Sequence, residues 1–191
     1  NYGSFMGTLP TIDALATLGF EGRREAWAKD QLLAALRILQ NGDIARANMI
    51  GSWAGAMGQT QFLPSNYLAY AVDADGDGRR DIWSSLPDVI ASTANFLARS
   101  GWQRGQPWGV RALVPAGYDV DNDGSELVAP QCPRVHVRHS RFRTVREWRA
   151  LGIQPQEALG DETMVSLFRP DGPGTPAWLL TGNYRVILEY N

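Results

Sequence analysis

Between residues 73 and 81 a carboxylate returns at almost every second position, Asp73-Ala74-Asp75-Gly76-Asp77-Gly78-Arg79-Arg80-Asp81, and no other stretch limits the fold so tightly. Oxygens on alternate residues converge on a hard cation only if the backbone curls around it, and the run matches positions one, three, five, six and nine of an EF-hand loop. Gly78 makes the sharp turn and Arg79 offers its carbonyl. The twelfth position, where a bidentate Glu belongs, is Ser84; Asp88 lies four residues further on and closes a longer loop. The flanks agree, with Ser65 to Val72 reading as an incoming helix and Pro87 onward as an outgoing one. The competing reading is an Asp/Gly-rich surface turn. A second hit, Asp119-Val120-Asp121-Asn122-Asp123-Gly124, has Pro130 at its twelfth position and no helix after it, so a polar turn between strands is expected there.

Helical periodicity dominates the first half. Leu32, Leu33, Leu36 and Leu39 form an apolar stripe that stops at Asn41-Gly42, and Val89, Ile90, Thr93, Ala94 and Leu97 share a face of a helix from about Asp88 to Ser100. After Trp102 the texture changes to short β-rich runs at Val110 to Val114, Arg134 to Arg138, Met164 to Phe168, Ala177 to Leu180 and Tyr184 to Glu189. Thr144-Val145-Arg146-Glu147 has capping-box spacing and opens a short helix with Val145, Trp148 and Leu151 inward. The expected fold class is α+β, mainly helical, with the helices first and a smaller mixed region later.

A chain of 191 residues with 44% hydrophobic content buries one good core. A formal charge of −2 gives no field that would gather nucleic acid or anionic lipid. Cys132 is the single cysteine and makes no internal disulfide, and no run of about 18 apolar residues is present to span a bilayer. His136 and His139 lack carboxylates at ligand spacing, so no histidine metal site is expected. The segment from Gly51 to Ser65 is the other informative stretch. Its glycines suit close backbone approach, Ser52, Gln59 and Gln61 supply neutral hydrogen-bonding groups, and Phe62 supplies an apolar face. Neutral donors beside an aromatic suit a sugar. The alternative is that the glycines serve helix packing and the glutamines are solvated.

Gly51 to Tyr67 resembles the G-S-x-A-G-A-M-G-x-x-Q-F-x-P-S-x-Y signature of the lytic murein transglycosylase B family. The likeness extends to Phe5-Met6-Gly7, Ile12 to Leu18, Arg23-Arg24, Tyr70 to Asp73, the Asp/Gly loop with Trp83, Ala94-Asn95-Phe96, Gly101-Trp102, Gly182-Asn183-Tyr184 and Tyr190-Asn191. It implies a lysozyme-like helical core over residues 1–110, with an EF-hand-like loop at 73–88. A smaller mixed α/β subregion at 111–175 and a return to the core at 176–191 follow, with the chain truncated at both ends. It also implies structural calcium on Asp73, Asp75, Asp77, the Arg79 carbonyl and Asp88, no organic cofactor, and a glycan cleft lined by Ser52, Gln61, Phe62, Asn183, Tyr190 and Asn191. Arg23 and Arg24 lie near the acidic or peptide-bearing side of the substrate.

The implied activity is cleavage of the MurNAc-GlcNAc β-1,4 bond of peptidoglycan with formation of 1,6-anhydroMurNAc ends. The family's single catalytic Glu falls two residues before Asn1, in the motif of which Asn1-Tyr2-Gly3 is the remainder. Phe5, Met6, Met57 and Phe62 are expected to wall its carboxyl with apolar surface, which raises the pKa of a general acid. Glu189 precedes Tyr190-Asn191, but on a strand pattern it alternates away from Leu188 and Tyr190. The expected partner is the peptidoglycan glycan strand and not nucleic acid, met by a monomer in the periplasm or on the outer membrane, with a lipid anchor on the full-length protein left open. Two other classes stay open from the residues alone: a peptidoglycan-binding module without catalysis, and a calcium-dependent structural or interaction domain.

Overall fold

The computed structural model describes residues 5–22, 24–118, 139–172 and 174–190. The chain forms two compact units, residues 1–99 and 100–191. The boundary lies earlier than the expected division near residue 110, and the stretch from 176 falls in the second unit, where its strand joins that unit's sheet.

The first unit is helical. A short ladder pairs β1 (Leu9–Pro10) with β2 (Ile50–Gly51), and around it stand α1 (Thr11–Phe20), α2 (Glu25–Asn41), α3 (Pro64–Tyr70) and α4 (Leu86–Arg99). Helix α2 starts beside Arg24, which holds a left-handed φ of 61°, and stops at Gly42. Its inward row is Ala28, Gln31, Ala34, Ala35 and Ile38. The leucine stripe expected to be buried is not that row, since Leu33 and Leu36 are 59% and 46% exposed. Small side chains let neighbouring helices approach closely, so the alanines take the seam and the longer leucines are displaced to its margins. Gln31 belongs to the inward row because its Oε1 accepts the Ser65 N–H at 3.0 Å, satisfying a first-turn donor of α3.

Helix α4 departs from expectation for a related reason. Its buried positions are Asp88, Ser92 and Phe96, while Ile90 is 60% exposed. Loop backbone running beside the helix needs acceptors: Ser92 Oγ accepts the Val72 N–H at 2.9 Å, and Asp88 accepts from Ala74 and Asp81. Unpaired buried N–H groups cost more than a lost apolar contact, so Asp88 and Ser92 share the inward row with Phe96 and Ile90 is left outside. Phe62, Phe96 and Tyr70 form an aromatic cluster, with centroids 5.9 Å apart for Phe62 and Phe96 and 4.8 Å for Tyr70 and Phe96.

The second unit is built on a five-stranded antiparallel sheet in the order β4-β6-β7-β3-β5, with β3 at Gly109–Leu113, β4 at His139–Thr144, β5 at Gln154–Pro155, β6 at Met164–Phe168 and β7 at Ala177–Leu180. Helix α5 (Val145–Ala150) opens on the expected capping box, Thr144 and Glu147 bonding each other's backbone N–H groups. Val145 and Trp148 pack against Val110, Val165, Leu167, Ala177 and Leu179, and Trp148 Nε1 donates to the Val165 carbonyl at 3.0 Å. Leu151, expected inward, is 43% exposed, because the helix ends at Ala150 and Ile153 takes the core position.

Residues 184–189 were expected to form a strand and instead lie in helix α6 (Gly182–Tyr190). Aromatic and β-branched residues mimic a strand there, but the buried positions are Asn183 and Val186, three apart as on a helix. Among the described residues no helix is long and apolar enough to cross a membrane. Cys132, His136 and the Asp119 to Asp123 turn lie outside the described residues, and His139 is a buried residue of β4, edge-on to Phe168.

Candidate functional site

The loop from Ile50 to Phe62 is tied to itself and to its surroundings by main-chain bonds. Ser52 N–H donates to the Ala56 carbonyl at 2.8 Å, Ser52 Oγ accepts the Ala56 N–H at 3.1 Å, and Met57 N–H donates to the Phe62 carbonyl at 2.8 Å. A Cβ on Gly51 would stand 2.2 Å from the Ala56 oxygen, so glycine there serves close backbone approach within the loop. Ser52 closes a turn through its lone pairs and still has a hydroxyl hydrogen to donate.

Gln61 is the conformational outlier. Its φ is 54°, a left-handed value that costs a non-glycine residue about 1 kcal/mol or more. Its Nε2 donates to the carbonyls of Gly58 at 2.9 Å and Met6 at 3.1 Å, which fixes the carboxamide and leaves Oε1 without a protein partner among the described residues. Phe62 was expected to face the ligand, and the structure corrects this: the ring is 2% exposed and packs on Phe96 in the core. Met57 is buried in that core too. The exposed aromatic of the loop is Trp53, with 71% of its surface free. Its place in a glycine-rich turn is the sequence signal for that exposure. Arg24 is exposed, its guanidinium 5.7 Å from the Trp27 ring centroid. Arg23 lies outside the described residues.

In the acidic loop, carboxylate oxygens of Asp73, Asp75 and Asp88 lie within 4.8 Å of one another. Asp88 is fully buried, its two oxygens accepting the Ala74 N–H at 2.8 Å and the Asp81 N–H at 2.7 Å. Asp73 accepts the N–H groups of Gly76 and Gly78, and Ser85 Oγ donates to Asp75 at 2.7 Å. Among the described residues no Lys or Arg pairs with these three acids, so a buried carboxylate and its neighbours converge without a protein cation. That donor set fits a hard, oxygen-seeking divalent ion. Asp77 is outside the trio, its Oδ1 accepting the Arg79 N–H at 2.8 Å. Ser84, at the twelfth loop position, donates instead to Asp81. Burial pushes the Asp81 carboxyl up, but bonds from the Ser84 hydroxyl and the N–H groups of Ser84, Trp83 and Ser85 outweigh it and hold the group below its ordinary value.

The far end of the acidic loop is anchored to the core. Tyr67, fully buried, donates its hydroxyl to the Arg80 carbonyl at 2.6 Å, and Arg80 grips Asp43 with two bonds of 3.1 and 2.7 Å. That bidentate grip raises the guanidinium pKa, and burial, with the Asp43 charge beside it, raises that of the Tyr67 phenol. Two residues after Arg80 the two loops meet. Gln59 N–H donates to the Ile82 carbonyl and Gln59 Nε2 to the Trp83 carbonyl, both at 2.9 Å, while Trp83 Nε1 donates to the Ile50 carbonyl at 3.0 Å.

In the second unit, Asn183 was expected to bind substrate, and its geometry is otherwise. It is fully buried, its Nδ2 donating to the Gln103 and Gln106 carbonyls and its Oδ1 accepting the Gln103 N–H at 2.7 Å, so it ties the 103–106 loop to α6. Tyr190 is half-buried at the end of α6, Glu189 is exposed one residue before it, and Asn191 lies outside the described residues.

An α+β chain with a lysozyme-like set of helices is the fold class shared with the solved lytic transglycosylases. The chain belongs to the transglycosylase SLT domain family, whose model matches residues 1–191. It is 35% identical over 197 residues to membrane-bound lytic murein transglycosylase B of Escherichia coli, covering 100% of this chain and 48% of that protein. SltB3 from Pseudomonas aeruginosa, solved in complex with NAG-NAM-pentapeptide, is 47% identical with a TM-score of 0.88 over 100% of this chain and 49% of that one. The Escherichia coli lytic transglycosylase Slt35, solved in complex with calcium, is 31% identical with a TM-score of 0.76 over 100% of this chain and 56% of that one. The chain spans about half the length of these relatives.

Proposed function

We propose that this chain is the glycan-cleaving part of a peptidoglycan lytic transglycosylase acting as a monomer in the periplasm. Gln61 carries the reading. A left-handed backbone and two carbonyl anchors hold its carboxamide in one orientation with Oε1 left to accept a sugar hydroxyl. Ser52 adds a hydroxyl donor, and the exposed Trp53 indole adds a face on which the C–H side of a pyranose stacks. Neutral groups and an aromatic face recognise sugar; the family and the NAG-NAM-pentapeptide complex of SltB3 point to murein as its source. Arg24 is assigned to the carboxylates of the peptide-bearing side, and Tyr190 to the glycan.

The chemistry needs one acid. The family motif to which Asn1-Tyr2-Gly3 corresponds implies a glutamate for this role, which would give its proton to the bridging oxygen as the C1–O bond breaks, then take the proton of the same sugar's C6 hydroxyl as O6 bonds to C1. The products are a free 4-hydroxyl on one fragment and a 1,6-anhydro ring on the other, with no water consumed. Mass spectrometry of digested sacculi reads this directly, because anhydro ends are one water lighter than hydrolytic ends. Anhydro ends that disappear on Glu→Gln substitution at that position are expected; reducing ends in their place would overturn the reading in favour of a two-carboxylate hydrolase.

Asp73, Asp75 and Asp88 are assigned to calcium on their convergence, and Asp77 and the Arg79 carbonyl on the family resemblance alone. Held there, calcium would offset most of the mutual repulsion of the three carboxylates, which come from the loop and from the start of α4. Calcium at a hundredfold excess over its Kd stabilises the fold by about 2.7 kcal/mol, since the unfolded chain does not assemble the ligands. Calorimetry against chelator tests this, and an unchanged melting temperature would remove it.

A further inference from the structure

We infer that Gln59 is a positioning residue that couples the acidic loop to the sugar-binding loop, so that calcium and glycan raise each other's affinity. The inference rests on the reading above, and everything it uses lies within the first unit.

The path is short and continuous. Asp88 accepts the N–H of Ala74 at one end of the acidic loop and of Asp81 at the other, so a cation drawn to Asp73, Asp75 and Asp88 clamps both ends of the loop onto α4. Asp81 in turn accepts the Trp83 N–H at 2.8 Å, which fixes where the Ile82 and Trp83 carbonyls point. Those two carbonyls receive both donors of Gln59, main chain and side chain. Gly58 is pressed against the same carbonyl: a Cβ there would stand 2.6 Å from the Ile82 oxygen. The Gly58 carbonyl, finally, accepts from Gln61 Nε2 and so sets the direction of the Gln61 Oε1 offered to the ligand.

A shift of Ile82-Trp83 therefore reaches Gln61 through the two Gln59 hydrogen bonds, the close approach of Gly58 to the Ile82 oxygen and the bond from Gln61 to the Gly58 carbonyl, and the Gln59 side chain in that path is held at its far end by the Trp83 carbonyl. Loop order at one site is order at the other, and the ligand that supplies it first lowers the cost for the second.

The experiment is a thermodynamic cycle on the 191-residue chain, with calcium chloride and a NAG-NAM-pentapeptide muropeptide as probes and titration calorimetry as readout. Calcium affinity is measured with and without the muropeptide, and muropeptide affinity with and without chelator. Saturating calcium is expected to tighten muropeptide binding about tenfold, and by linkage the muropeptide must tighten calcium by the same factor. Gln59→Leu and Gln59→Glu both lose the side-chain donor while differing in polarity, and both should bind each ligand alone yet couple them less than about twofold.

A shared loss then belongs to the missing donor and not to packing, with a melting curve confirming that each variant folds. Coupling below twofold in the parent chain, or full coupling in both variants, would overturn the inference while leaving calcium and glycan binding intact. Absence of heat with calcium alone, or with muropeptide alone, would overturn the underlying reading and this inference together.

Discussion

Gly58→Ala is the sharpest perturbation the first unit offers. Gly58 has a φ of 61°, and a Cβ placed on it would lie 2.6 Å from the Ile82 oxygen and 2.9 Å from Ile82 Cγ1. Two costs combine. Alanine in the left-handed region loses about 1 kcal/mol net, after the gain from a stiffer unfolded chain is set against the strain. The clash adds about 1–3 kcal/mol, because the atom met is a backbone oxygen already accepting the Gln59 N–H and has nowhere to retreat. Gly42 supplies the comparison: its φ is 79°, nothing stands within 4 Å of its Cβ position, and Gly42→Ala carries the conformational cost alone. Urea unfolding followed by circular dichroism, with midpoints compared at a common slope, should place Gly58→Ala about 2–4 kcal/mol below the parent and Gly42→Ala about 1 kcal/mol below. Equal losses for the two would refute the claim that Ile82 holds the Gly58-Gln59 backbone.

Trp148→Ala empties the core of the second unit and removes its bond to the Val165 carbonyl, so a loss of about 3–5 kcal/mol is expected in thermal or urea unfolding of that unit. Asn183→Ala strands the Gln103 N–H and two carbonyls, and a lowered melting temperature of the second unit should accompany any loss of glycan binding; unchanged stability would return Asn183 to the cleft. Bonds from the Thr144 backbone and hydroxyl hold Glu147 below its ordinary value of 4.5, so its contribution is present above that pH and is lost as pH falls through the lower folded value. Glu147→Gln should accordingly flatten stability against pH below about 4.5, and an unchanged acid limb would remove the capping box as its cause. Gln61→Ala should weaken muropeptide binding at least tenfold, and equal behaviour of parent and variant in a calorimetric titration would exclude its Oε1 as a ligand group.

The features legible in the sequence are those whose physics is local. Alternating carboxylates with glycine between them specify a curled loop within nine residues, and Asp73, Asp75 and Asp88 do converge. The Thr144 to Glu147 box and the strands β3, β6 and β7 are likewise set by spacing and side-chain shape over a few residues. Tertiary structure alone decided which side of each helix is inside. Alanines displaced leucines on α2 because its neighbours come close, and Asp88 and Ser92 displaced Ile90 on α4 because loop N–H groups needed acceptors. The same is true of the site. Phe62 and Asn183 bear the residue types a sugar cleft would use, yet one fills the core and the other caps a loop, while Gln61 takes a backbone conformation its residue type does not favour. Period and spacing report what a segment offers; burial and hydrogen-bond satisfaction depend on atoms far away in the chain, and those become neighbours only when it folds.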